Sequence, residues 1–227
     1  MKSISLAFTL TTFAAAQLSA QSIVGSWYAT QAGEAKTDVV IAFLANGIYL
    51  LAEDGDSKQD PSGKDGVERG TYQWDATTNV FTNNTLVDTN GEWGLSSEEA
   101  LKVSVSGNTL TLDGVKFKKV TSKTNKLVGT WYLKEGGGYA AVTFLADGTY
   151  LMGQDGKPGS GGRTGVERGT YQWNARTKAF KPKVLMDTNG TWGFSDMAKG
   201  TILVSKNTIT IKAPGDGSFT LARVVAP

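Results

Sequence analysis

Short apolar runs alternate with turn residues along this chain, and the runs have the length of β-strands. Val39-Val40-Ile41-Ala42-Phe43 leads into Asn46-Gly47 and then Ile48-Tyr49-Leu50-Leu51. Asn-Gly favours a tight two-residue hairpin because both residues tolerate positive φ. Asp147-Gly148 occupies the matching place further along. Val103-Ser104-Val105 and Leu110-Thr111-Leu112 flank Gly107-Asn108, as Ile202-Leu203-Val204 and Ile209-Thr210-Ile211 flank Lys206-Asn207. Asn90-Gly91 and Asn189-Gly190 mark further turns. Helical spacing is nearly absent, with Ser96–Leu101 the one short candidate. About eight short consecutive strands in each half predict an all-β protein, built as antiparallel sandwiches or up-and-down barrels.

The pattern is written twice. Gly66–Trp74 and Gly165–Trp173 share all nine letters, GVERGTYQW, 99 positions apart. Val24-Gly25-Ser26-Trp27-Tyr28 answers Val128-Gly129-Thr130-Trp131-Tyr132, and Asp88-Thr89-Asn90-Gly91-Glu92-Trp93-Gly94 answers Asp187-Thr188-Asn189-Gly190-Thr191-Trp192-Gly193. The organisation expected is repeat 1 over 21–121, a polar linker over 122–126 and repeat 2 over 127–227. Alternation within the shared strand puts Glu68, Gly70, Tyr72 and Trp74 on one face and Val67, Arg69, Thr71 and Gln73 on the other. The aromatic face belongs in the core, where Gly70 and Gly169 make room for a bulky ring. With Trp27, Phe43, Tyr49, Tyr72 and Trp74 sharing so small an interior, little space is left for a large lipid.

The opening Val-Gly-Ser/Thr-Trp-Tyr resembles the Gly-x-Trp start of the calycin superfamily, the lipocalins, fatty-acid-binding proteins and avidins. The Phe-x-x-(Asn/Asp)-Gly-x-Tyr hairpin is similar to small bacterial lipocalin-like modules. The resemblance implies two tandem antiparallel up-and-down β-barrels of about eight short strands each. In these families a first-strand Trp closes one barrel end, often under a basic side chain of the last strand. Carried onto this chain, Lys119 is expected over Trp27 and Arg223 over Trp131 by cation–π contact.

Composition narrows the function. Residues 1–20 carry Lys2, an apolar run from Ile4 to Ala16 and small residues up to Ala20, and they read as a secretory signal peptide cleaved after Ala16 or Ala20. A secreted or periplasmic protein without a membrane span is expected. There is no cysteine and no histidine, which excludes Ser-His-Asp and Cys-His nucleophiles and His/Cys metal sites. Asp54, Asp56 and Asp60 offer oxygen ligands of the kind calcium takes, but repeat 2 keeps only Asp155, and no metal or cofactor is expected. Repeat 1 (23–121) has fourteen acids and eight bases, net −6, whereas repeat 2 (127–227) has seven and twelve, net +5. That polarity favours contact between the halves, or head-to-tail self-association of molecules. No basic-aromatic cluster points to nucleic acid.

Two candidate sites stand out. Glu68 with Arg69, and Glu167 with Arg168, mark a rim of each barrel, either as a ligand mouth or as an ion pair within the sheet. Asp88, Asn90 and Trp93, and likewise Asp187, Asn189 and Trp192, suit a sugar ring or an aromatic partner, or else a turn whose Trp caps the barrel. The leading expectation is a non-enzymatic binding protein with a small apolar or aromatic ligand at the barrel mouths. The alternative is a glycan-binding, adhesive or self-assembling extracellular module. No catalytic residue is expected, and paired carboxylates such as Glu68 and Asp88 are the one enzymatic option.

Overall fold

The computed structural model describes residues 22–30, 38–54, 65–91, 94–96, 101–135, 138–155, 164–190, 193–195, 197–215 and 217–225. The first module runs β1 (Gly25–Thr30), β2 (Asp38–Phe43), β3 (Ile48–Asp54), β4 (Gly66–Trp74), β5 (Val80–Asp88), β6 (Leu101–Ser106), β7 (Thr109–Leu112) and β8 (Val115–Lys119). The second runs β9 (Gly129–Glu135), β10 (Gly138–Phe144), β11 (Thr149–Asp155), β12 (Gly165–Trp173), β13 (Ala179–Asp187), β14 (Gly200–Val204), β15 (Thr208–Lys212) and β16 (Ser218–Arg223). Each set closes into an antiparallel barrel of eight strands in sequence order, the last pairing with the first through Trp27↔Lys119 and Trp131↔Arg223. No helix is present among the described residues. The helix expected over 96–101 is not supported at Leu101, which opens β6, and 97–100 lie outside the described residues, as does the whole of 1–20.

The turns correct one expectation. Asn46-Gly47 and Asp147-Gly148 do not make two-residue hairpins. Leu44 donates its N–H to Ile48 and Leu145 to Thr149, leaving three-residue loops. Only the glycines take positive φ (79° and 89°), while Asn46 and Asp147 turn their side chains to accept N–H from Ile48 and Thr149. The turn with positive φ at both residues is Asp113-Gly114, joining β7 to β8.

One end of each barrel is sealed as the resemblance implies. Trp27 and Trp131 are fully buried and donate their indole N–H to the carbonyls of Ile23 and Leu127, both at 2.8 Å. Lys119 Nζ lies 5.2 Å from the Trp27 ring and the Arg223 guanidinium 3.9 Å from the Trp131 ring. Arg223 also donates to the carbonyls of Val128 and Lys126, which pins the linker to barrel 2. Above the seals, aromatic residues fill the interiors: Phe43, Tyr49 and Phe81 in barrel 1, and Phe144, Tyr150 and Phe180 in barrel 2. Gly70 and Gly169 make the expected room, since a Cβ there would meet the Tyr49 or Tyr150 ring at 2.6 or 2.7 Å.

The barrels pack side by side through β3 and β4 of one and β11 and β12 of the other. Val40, Ala52, Val67, Leu151 and Val166 form one shared apolar cluster, and Ala42, Leu44, Leu50, Tyr139 and Ala141 another. This is why β2 and β3 read as unbroken apolar runs: both of their faces are buried. The contact is reciprocal. Arg69 pairs with Asp155, and Arg168 pairs with Asp54. Gly153 sits at the closest approach, where a Cβ would come within 2.9 Å of Ala52 Cβ and Val67 Cγ1.

Candidate ligand site at the open barrel ends

The ends opposite the Trp seals bring the two repeated motifs together. In barrel 1, Glu68 points inward from β4 and is fully buried. The segment following β5 crosses above it, and Leu95 donates its backbone N–H to Glu68 at 2.9 Å. Gly94 makes this possible: it has φ +113°, and a side chain there would run into the Glu68 carboxylate. Asn90 is fully buried and its amide Nδ2 donates to Glu68 Oε1 at 3.1 Å and to Glu53 Oε2 at 3.0 Å. Tyr49 and Thr85 share a 2.7 Å hydroxyl contact, and Asn83 donates to the Leu95 carbonyl. Burial pushes the Glu68 carboxyl up to about 7; the Asn90 and Leu95 hydrogen bonds oppose this, and the charges of Asp88 and Glu53 add to it.

Barrel 2 repeats the latch with different surroundings. Glu167 is fully buried and accepts N–H from Phe194 (2.9 Å) and Ser195 (3.1 Å), while Tyr150 donates its hydroxyl at 2.6 Å. The Ser195 hydroxyl sits between Glu167 and Asp187. Burial raises both the Glu167 carboxyl and the Tyr150 phenol; the Glu167 charge raises Tyr150 further, whereas the hydrogen bonds from Tyr150, Ser195 and Phe194 pull Glu167 back down. Gln154 stands where barrel 1 has Glu53. Its Oε1 and both ends of the buried Asn189 amide have no hydrogen-bond partner among the described residues.

Beside this latch, barrel 2 holds an apolar cavity of about 410 Å³. Leu133, Ala140, Val142, Met152, Phe194 and Met197 are among its walls, with Ala213, Phe219 and Leu221 at the side of β15 and β16. The duplicated sequence accounts for part of the space, although Leu133 and Phe194 are larger than the matching Ala29 and Leu95. Val39 of barrel 1 is answered by Ala140, Ile41 by Val142 and Phe117 by Leu221, so repeat 2 has the smaller side chain at each place. The two-residue turn at Asp113-Gly114 is replaced by the longer 213–217.

The structure thus separates the expected Glu–Arg pairs. Glu68 and Glu167 face into the barrels, whereas Arg69 and Arg168 face the other module and bind its aspartates. Alternation already put neighbouring residues on opposite faces, and it is the acid partner, 86 residues away for Arg69, that has no local signature. Asn90 and Asn189 are interior, while Asp88 and Asp187 are exposed directly opposite Glu68 and Glu167. Trp93 and Trp192 lie outside the described residues, as do Asp56 and Asp60, while Asp54 is engaged by Arg168. Among the described residues no group of three or more acidic side chains is placed to hold a metal ion. Sequence reasoning missed Glu53, Leu95, Phe194 and the cavity walls. The tight Gly94 and Gly193 hinted at a close approach, but not to what.

No protein-family model, no curated protein and no solved structure gives a significant match to this chain.

Proposed function

We propose that the chain is a secreted or periplasmic, non-enzymatic binding protein made of two lipocalin-like modules, and that it takes one small apolar or aromatic ligand in the open end of barrel 2. The observation that carries this reading is the apolar cavity of about 410 Å³ opposite the Trp131 seal. Its size falls within the roughly 300–1,000 Å³ common to small-molecule sites. Barrel 1 has its corresponding end occupied by Glu53, Glu68, Asn90 and Leu95, and its part is to brace the binding module. Ala141, Leu151 and Gly153 meet barrel 1 from outside, on the same strands whose Ala140, Val142 and Met152 wall the cavity. A non-enzymatic role is supported by the two buried glutamates, which are spent on holding backbone N–H groups.

Native mass spectrometry of the full chain against a library of small apolar and aromatic compounds tests the reading. Adducts of one ligand per chain are expected, and Ala213→Trp, at the half-buried rim of the cavity, should remove them without unfolding the protein. Recovery of unliganded protein alone across the library would overturn it.

A further inference from the structure

We propose that the ligand of barrel 2 is an amphipathic organic anion, with its apolar body in the cavity and its single acidic group held by Lys181, Lys199 and Lys212. This rests on the cavity reading given above and names the chemistry of its ligand. A second hollow, of about 400 Å³, lies where β13 and β14 part, and Phe180, Lys181, Lys199, Gly200 and Lys212 line it. Among the described residues its ionisable side chains are all lysines. The two spaces adjoin. Ala213 lines both of them, and a Cβ on Gly200 would stand 2.9 Å from the sulfur of Met197, a cavity wall.

Charge settles which head group fits. The three lysines are exposed and none is ion-paired among the described residues. Their aliphatic stems can lie along an apolar ligand while the ammonium groups meet an acid in water. Glu167, behind Phe194, already takes the Tyr150 hydroxyl and the N–H groups of Phe194 and Ser195, so these donors are closed to an acidic ligand and its head group is directed outward to the lysines. The positive balance of repeat 2 steers an anion to this module. Barrel 1 carries none of this. At the positions matching Lys181, Lys199 and Lys212 it has Thr82, Ala100 and Asp113. The lysines and the cavity therefore occur together in one module and are missing together from the described part of the other.

Isothermal titration calorimetry of the full chain at low salt, with decanoate, 1-decanol and decyltrimethylammonium below micelle formation, reads this preference. Decanoate is expected to bind about tenfold more tightly than decanol, a gap of about 1.4 kcal/mol. The ammonium probe should be the weakest, and added salt should shrink the gap between decanoate and decanol. K181Q/K199Q/K212Q should bind decanoate no more tightly than it binds decanol, while arginine at the same three positions should keep the preference. Equal binding of decanoate and decanol by the unaltered chain, tightest binding of the ammonium probe, or a preference that survives in the triple Gln variant would overturn the anion assignment and leave the cavity reading standing. Failure of all three probes to bind would overturn the cavity reading and the anion with it.

Discussion

Barrels 1 and 2 share a frame and differ in what fills the end away from the Trp seal. Barrel 1 places two buried carboxylates around Asn90 and closes over them with Leu95. Barrel 2 keeps one of the two acids, turns Glu53 into Gln154, and opens an apolar cavity beside the latch. The residues common to both copies build the frame: the sealing Trp, the inward Glu, and the glycines that let a loop cross over it. The residues that differ decide the contents. Three shortened side chains and one lengthened turn accompany the hollow end of barrel 2.

The largest effect should come from erasing that difference. A140V/V142I/L221F gives barrel 2 the side chains of barrel 1 and should weaken ligand binding by about 100-fold or more, corresponding to ~3 kcal/mol of lost contact. Titration of any bound probe measures it, and a melting temperature that holds or rises would show filling instead of damage.

Next is the contact that joins the barrels. Asp155→Ala leaves Arg69 without its acid and should cost about 3 kcal/mol in urea unfolding, the low end for a buried pair because Arg69 keeps some exposure. A double R69L/D155L variant should recover much of this, because the desolvation of two charges is removed along with their attraction. Equal losses from the single and the double variants would mean that the surrounding packing, not the ion pair, carries the joint.

Barrel 1 should respond more sharply to pH. The Glu68 carboxyl is held near 7 when folded and lies near 4.5 in its ordinary state, so the folded protein binds the extra proton between those values. The stability this brings is complete below pH ~4.5 and lost as pH rises through ~7, at about 1.4 kcal/mol per unit, or roughly 3 kcal/mol in all. Urea melts at pH 4.5 and pH 8 read the difference, and Glu68→Gln should flatten it. A protein that grows more stable over that interval would contradict the assignment.

The smallest effect distinguishes the seals. Arg223→Met should cost about 1–2 kcal/mol because it loses a close stack on Trp131 and two hydrogen bonds, and Lys119→Met about 0.5 kcal/mol because Lys119 stands further from its ring. Thermal melts of the two variants make the comparison.

Much of the frame was legible in the chain. Strand length, turn residues and the double copy led to paired all-β modules, and the Gly-x-Trp resemblance placed Lys119 and Arg223 over the correct rings. Local patterns then ran out. Asn90-Gly91 reads as an exposed turn, and the chain does bend at Asn90, yet its Asn points inward, where two carboxylates accept from its amide. Arg69 lies on the outward face as alternation requires, but its partner belongs to another module, and pairing across such a distance leaves no periodicity. One signal was available for the interface: the unbroken run from Val39 to Leu44 means a strand covered on both sides, which a lone barrel facing water cannot provide. The cavity was the least legible. It goes with apolar residues replaced by smaller apolar residues and with a longer turn, changes that hydrophobic patterning does not register.

Gly153 bears on which modules fit together across this contact. Each module bears both the aspartate and the arginine of the joint, so nothing in the ion pairs prevents the first module of one chain from docking on the first module of another. Bulk prevents it. Where Gly153 meets Ala52, a like pair of first modules would have to fit two methyl groups into a gap already too narrow for a methyl on Gly153. A single missing carbon thus lets the two unlike modules meet where a pair of first modules would clash.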